Sequence, residues 1–292
     1  MSPSAKITTY NKGDFFRNEA RTRGPGAEPN VIGFKTGSTS ILTTQYDAAY
    51  EITKEDIKYQ GLTGGPTIDM KADSALLATD KLDILVEKEV ADLINETVWS
   101  SVSAGGTDAE GLWAPAGSTN TFLEDIDLGL KTILGNTGMK ANTLVIDYKT
   151  WVNLKNVDAI NARLKTTDDK TLQPQRLASL LELDRVLVGS AIYSTAVEKQ
   201  DGTDFTAADI WGGVNSTKGM GFLCYVPSVA GLRVPSAMYR PRTKALDSGL
   251  YRGVWEHVYP SQHKWIIQAI EEFQVLATGL DLGYLWKDTH TT

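Results

Sequence analysis

The sequence predicts an α+β fold, and three observations carry that prediction. Residues 72–102 hold one unusually long amphipathic helical pattern. Residues 120–226 hold short strands and helices in turn, and the stretches 31–60 and 250–279 are strand-like, with apolar residues at spacing two. Strand-rich ends, set apart from a long helix and a compact mixed unit, make an α+β chain.

Residues 1–30 are polar and end in RGPGAEPN, where Gly and Pro forbid regular structure, so an extended arm is expected. In STSILTTQYDAAYEITKEDIKYQ, residues Tyr46, Ala48, Tyr50 and Ile52 alternate as on one face of a strand. This stretch reads as a hairpin with little apolar material of its own. A two-stranded ribbon is marginal alone, so it should lie on something else. GLTGGPT then breaks the chain. The helix that follows takes Asp73 as N-cap, with Leu82, Val86, Val90 and Leu93 on one stripe and Leu85 and Ile94 widening it. About 28 residues at 1.5 Å each give roughly 42 Å. An average helix has about a dozen residues, so this one is a spine across the molecule.

Past a Gly- and Ser-rich loop (103–118), Thr121 and Glu124 form the T-x-x-E pattern of a capping box. Leu123, Ile126, Leu130 and Ile133 make the helix stripe, and Gly135 sits where the helix should stop. Next comes ANTLVIDYKTWVNLKNVDAINARL, in which Leu144, Val145 and Ile146 make an apolar strand ending at Asp147. A helix with Trp151 and Leu154 on one face begins at once. Many enzymes present a catalytic residue at such a junction, but Asp147 also suits a helix N-cap. Pro174 opens a helix carrying Leu177, Leu180 and Leu181, and RVLVGSAIY makes another strand. LYRGVWEHVY, a PSQ turn and HKWIIQAIEEFQVLATG then form a long hairpin. In its second arm Trp265, Ile267, Ala269, Phe273 and Val275 share one face, interrupted by Glu271.

With 292 residues, 41% hydrophobic and 22% charged, the chain can bury a full core. It shows no signal-peptide pattern and no run that spans a bilayer, and intracellular synthesis and no membrane partner are expected. Cys224 is the single cysteine, which excludes an intrachain disulfide; in GFLCYV it reads as a small buried hydrophobe. The net charge of −7 argues against tight nucleic-acid binding by the body of the protein. KGDFFRNEARTRG is the local exception, with Lys12, Arg17, Arg21 and Arg23 against Asp14 and Glu19. It reads either as a solvated arm or as a contact with a negative surface.

The sequence offers no recognisable catalytic or metal pattern, so no enzyme activity, cofactor or metal is expected. His257, His263 and His290 have no zinc spacing, and the first two flank a turn as solvated residues. G-x-S-x-G, Walker A and H-E-x-x-H are missing, and GMGFLC lacks the third glycine of a dinucleotide loop. The acid pairs Asp168–Asp169 and Glu271–Glu272 read as solvated charges, and the sequons at Asn95 and Asn215 carry little meaning. The tryptophans and tyrosines are spread over several elements, which suits core and interface packing.

Taken in order, the elements resemble the major capsid protein of tailed bacteriophages, whose fold encapsulin compartments share. The stretches that carry the resemblance are YEITKEDIKYQ leading into LDILVEKEVADLI, then NTLVIDYKTWVNLKNVDAINARL, RLASLLELDRVLVGSAIYS and GFLCYVPS. The resemblance implies an N-terminal arm (1–30), an extended E-loop (31–62), a peripheral domain (63–119 with 228–292) and an axial domain (120–227). Asp147 would then belong to axial-domain scaffold. The chain would assemble with itself into hexamers and pentamers of an icosahedral shell, in the virion, after synthesis in the bacterial host cytoplasm. Its partners would be a separate scaffolding protein, a portal protein, decoration proteins, and packaged double-stranded DNA held weakly and without sequence specificity.

The residues expected at subunit interfaces are Arg17, Arg21 and Arg23 in the arm, Tyr46, Tyr50, Lys54 and Lys58 in the ribbon, and Trp255 and Trp265 in the closing hairpin. Some members of the family link subunits through an E-loop lysine and a distant asparagine. Lys54 and Lys58 lie in that region, but no matching asparagine context is present, so an uncross-linked shell is expected. The rival readings are an encapsulin-type compartment with protein cargo and a soluble α/β enzyme with an unfamiliar site.

Overall fold

The structure is a computed structural model that describes the chain except for residues 1–3, 11, 34, 63–68, 100–106, 110–111, 114–119, 165–171, 198–204, 213–218, 232–233, 245–248 and 291–292. Most of the Gly- and Ser-rich loop and of the GLTGGPT break, the pair Asp168–Asp169 and the sequon at Asn215 thus lie outside the described residues.

β1 (Ser4–Tyr10), a short α1 (Lys12–Phe16) and β2 (Thr36–Leu42) come first, and β1 pairs antiparallel with β2 from Ser4 opposite Leu42 to Tyr10 opposite Thr36. Residues 4–10 of the expected extended arm therefore form one strand of a ribbon. β3 (Thr44–Thr53) follows, and it does not pair with β2. The hairpin expected within 31–60 is corrected on that point: the ribbon forms one strand earlier, and β3 joins the body. Burial explains the choice. β2 has only Ile41 to bury, whereas β3 carries an apolar alternation that meets a helix.

α2 (Lys54–Leu62) leads to the spine, α3 (Met70–Leu93). Its N-cap is Asp69, whose carboxylate accepts from Lys71 N at 3.1 Å and Ala72 N at 3.3 Å; Asp73, the expected cap, lies in the first turn. The helix is 24 residues, roughly 36 Å, not the expected 42 Å. It stops where Ile94 and Trp99, both 1% exposed, must enter one core. Asn95 manages the bend: its side chain donates to Asp92 O and accepts from Val98 N, opening α4 (Glu96–Trp99).

β4 (Thr107–Asp108) and α5 (Phe122–Thr137) follow. The capping box at the start of α5 is not made. Thr121 donates instead to Asp125 at 2.8 Å, and Asn120 accepts from Phe122 N. The stop is also later than Gly135, at Gly138 in the left-handed region (φ 68°), where glycine carries no penalty. β5 (Thr143–Asp147), α6 (Tyr148–Leu154), α7 (Asp158–Leu164) and α8 (Pro174–Leu180) then come in the expected order. RVLVGSAIY is two strands, β6 (Arg185–Gly189) and β7 (Ile192–Ser194), because β6 ends at Gly189 under the Trp211 ring and β7 turns away to pair with β8 (Ala207–Asp209). The remainder is β9 (Met220–Cys224), β10 (Met238–Tyr239), β11 (Arg242–Thr243), β12 (Arg252–Tyr259), β13 (Lys264–Phe273), β14 (Leu276–Ala277) and β15 (Gly283–Lys287).

β4, β15, β9, β5 and β6 lie side by side in one mixed sheet, with β5 and β6 parallel and β9 antiparallel to both β5 and β15. The sheet therefore takes β4 and β15 from outside residues 120–226. Its register sorts its side chains into two cores. Leu144, Ile146, Leu223, Tyr284 and Trp286 face α5, α6 and α8, and Met220, Phe222, Cys224 and Leu285 face Ile94, Trp99 and Leu282. β9 is buried along its whole length, as a strand covered on both faces must be. The aromatics distant in sequence meet here: Trp113 lies 5.3 Å from Trp286 and 4.9 Å edge-on from Phe122. Gly129 makes room for Trp286, since a Cβ there would stand 2.6 Å from the ring.

A second sheet places β13 between β3 on one side and β12 and β11 on the other. The register puts Tyr46, Ala48, Tyr50 and Ile52 of β3 on the same face as Trp265, Ile267, Ala269, Glu271 and Phe273 of β13. That face covers α3 through Ala78 and Leu82. The other face carries Asp47, Glu51, Gln268, Trp255 and His257 toward solvent. Among the described residues no helix is long and apolar enough to cross a membrane.

Candidate assembly surfaces

The junction of β5 and α6 is where an enzyme would hold its catalytic group. Asp147 is 3% exposed, and its carboxylate accepts from Thr150 N at 3.0 Å and Met220 N at 3.0 Å. His290 Nε2 stands 3.6 Å away and is itself 4% exposed. Burial pushes the Asp147 carboxyl up, but hydrogen bonds from His290, Thr150 and Met220 outweigh it and hold the group below its ordinary value. Gly219, at φ 84°, passes so close that a Cβ would sit 2.5 Å from His290 and 2.7 Å from Asp147. These contacts make Asp147 the N-cap of α6 and a tie between three segments. A cavity of about 140 Å³ beside it is lined by Lys149, Ser190, Asp209 and Trp211, and Lys149 is paired with Asp209 at 2.7 Å. Cys224 is buried as expected, and burial pushes its thiol up to about 12.

Glu271 and Glu272 are not the solvated charges the sequence suggested. Glu271 is fully buried on the α3 face of β13, held by Arg252 at 2.6 Å, with Arg242 at 3.6 Å and Arg240 at 3.7 Å. Arg252 reaches on to Asp83 of α3 at 2.7 Å. Burial pushes Arg252 down, but its hydrogen bonds to Asp83 and Glu271 reverse that and raise it. Glu272, on the other face, accepts from Thr43 Oγ1 at 2.6 Å. These two carboxylates fasten β3, β11, β12 and α3 to one point of β13. The pattern of an apolar strand with one acid in it was visible in sequence; its three arginines, two from the β10–β11 segment and one from β12, were not.

The residues expected at interfaces divide between the two faces. Tyr46 and Tyr50 are half-buried against α3 of their own chain, and Tyr46 lies 4.9 Å from the Phe273 ring. Trp265 shares that face, with the ammonium of Lys71 4.7 Å and that of Lys54 5.9 Å from its ring. Trp255 lies on the opposite, outward face. Lys54 and Lys58 are exposed, and the backbone of Lys54 is fixed by His263 O at 2.9 Å. His257 and His263 are exposed, His257 with Gln268 at 3.0 Å.

Arg17, Arg21 and Arg23 belong to a closed finger. Its base is pinned by Lys12 to Asp281 at 2.8 Å and closed where Lys35 N donates to Asp14 at 2.9 Å. Halfway out, Asn30 donates to Glu19 O at 2.7 Å. At its tip Ala27 N donates to Gly24 O, with Pro25 and Gly26 (φ 80°) between them, a type II turn. The GPGA stretch carried that turn in plain sight, but the contacts that close the base join residues too far apart to be read. Arg17 pairs with Asp14 and Glu19, Arg23 donates to Ala27 O, and all three arginines are exposed.

No protein-family model matches the sequence, and no curated protein does either. Solved structures do match. A phage-related protein of Bordetella bronchiseptica superposes with a TM-score of 0.71 at 18% identity, over 99% of this chain and 88% of that one. The capsid of the cyanophage P-SCSP1u gives 0.59 at 10% identity, over 98% of this chain and 84% of that one. The chain has the phage major capsid fold. An encapsulin of Synechococcus elongatus shares it, with a TM-score of 0.50 at 10% identity over 98% of this chain and 82% of that one. In this capsid fold the buried polar groups serve the framework: Asp147 ties three segments together, and Glu271 fixes the long sheet to the spine.

Proposed function

We propose that this chain is the major shell protein of a tailed bacteriophage, whose copies assemble through hexamers and pentamers into a closed icosahedral shell around double-stranded DNA. The observation that carries this reading is the end-to-end correspondence with phage capsid structures. In this reading the protein works by geometry, through repeated interfaces, and not by catalysis. The unit around the five-stranded sheet is the axial domain, and α3 with the β3–β13–β12 sheet is the peripheral one. Arg17, Arg21, Arg23, Lys54, Lys58 and Trp255 are its surface contacts, while Tyr46, Tyr50 and Trp265 support the sheet that presents them. The net charge of −7 suits a wall that must not grip DNA. A scaffolding protein, a portal and decoration proteins are its proposed partners, the host cytoplasm its place of assembly and the virion its destination.

The encapsulin likeness favours a second reading, a compartment for protein cargo. Electron microscopy of the purified protein tests both: angular shells are expected, with DNA inside when they are taken from phage particles. Shells that hold a protein and never DNA would favour the compartment, and a stable monomer at high concentration would remove both.

A further inference from the structure

The long sheet has two edge strands, and one of them is closed to further pairing. Along β3, Thr53 N is taken by the Asp56 carboxylate at 3.0 Å, and Asp47 and Glu51 stand exposed. β12 is the other edge, and among the described residues nothing pairs with its outer side. The bonds of β13 show which groups face out there. His263 O accepts from Lys54 N on the side of β3, and Gln274 N donates to Pro241 O on the side of β12. By alternation the even-numbered residues of β13 bond to β12, where their partners are Gly253, Trp255, His257 and Tyr259. Val254, Glu256 and Val258 therefore turn their N–H and C=O groups outward.

The side chains along this edge suit a partner better than water. Val254 and Val258, on the α3 face, are 47% and 56% exposed. The charges of the strand are already matched within the chain, Arg252 by Glu271 and Asp83, and Glu256 by Lys71. No lysine or proline interrupts Arg252–Tyr259, so the edge lacks the usual guards against pairing. We propose that β12 pairs antiparallel with β12 of a second copy across a two-fold axis, Glu256 opposite Glu256, so that the two long sheets become one. That register sets Val254 of each copy opposite Val258 of the other, and Trp255 opposite His257. A shift by two residues in either direction puts a valine opposite Glu256, and one of those shifts sets Val254 against Pro260, which has no N–H. At the axis the two glutamates meet as like charges, each with its own Lys71 beside it. The contact is isologous, so it joins two copies and stops there. Heterologous contacts build hexamers and pentamers, and this one couples a ring to the next.

This inference rests on the shell reading and names the joint between rings. Glu256 stands opposite itself, and in a hydrogen-bonded antiparallel pair the Cα atoms are about 5.5 Å apart, within disulfide reach. Glu256→Cys shells treated with a mild oxidant should therefore give a disulfide dimer on a non-reducing gel. Val254→Cys and Val258→Cys should give one when mixed and neither alone; Cys224 is buried and stays reduced. Shells that form without a Glu256→Cys dimer would overturn the pairing and leave the shell reading standing. A dimer in protein that never builds a shell would keep the pairing and sink that reading. Val258→Pro removes an outward N–H and leaves the bonds to β13 in place. It should cut shell yield at least about tenfold with the circular dichroism unchanged. Full yield from that folded variant would also overturn the pairing, and should the variant unfold, the cysteine dimers decide alone.

Discussion

Asp147 was legible in the sequence as an N-cap because its partner, Thr150, is three residues away. His290 was not, since the contact joins residues 143 apart in number and no periodic pattern marks it. The carboxyl is lowered from 3.8 in the folded chain, so its stabilisation is complete above that value and is lost as pH falls through the folded pKa. Asp147→Asn should cost about 1–3 kcal/mol near neutral pH. The gap between the urea midpoints of the two proteins should stay level down to about pH 5 and narrow below pH 4. A gap that widens with acid would mean that the carboxylate is not the stabilised form. Glu271 sets a second residue-scale test. Arg252→Met leaves a fully buried carboxylate with only the longer contacts to Arg240 and Arg242. Unfolding measurements should show a loss of about 3 kcal/mol.

Elements with a clear period were read well, and elements that depend on a distant partner were not. α3 announced itself by its stripe, although its end did not, because the break after Leu93 answers to a core that Ile94 and Trp99 share with β9 and β15. Val90 packs against that core, half-buried. Val90→Asp should cost about 3 kcal/mol and abolish soluble, assembly-competent protein. β3 had the alternation of a strand, but sequence could not say that its partner was β13, some 220 residues later. Deleting Thr44–Thr53 should therefore unfold the chain, because it strips the cover from Ala78 and Leu82. Deleting residues 17–33, with a short Gly-Ser bridge, should leave circular dichroism near that of the intact chain and stop assembly. If the first deletion folds, β3 is not part of the core; if the second unfolds, the finger is not a surface element.

A shell without covalent links must hold through many repeated surfaces, each modest in area. Lys54 and Lys58 are exposed and solvated, a poor setting for a nucleophilic amine, which needs desolvation and a lost proton. Particles boiled in detergent and reductant should run as one band near 31.8 kDa. A ladder of boiling-resistant oligomers would overturn that expectation. The place of β15 bears on when assembly can begin. It lies between β9 and β4, in the middle of the five-stranded sheet, yet it is drawn from residues 283–287. While the ribosome still holds those residues, β9 has an open edge and Trp113 lacks the Trp286 ring. Nascent chains on one messenger, crowded together, therefore cannot present finished surfaces to one another. β15 therefore acts as a timer: the five-stranded sheet closes only once residues 283–287 have left the ribosome.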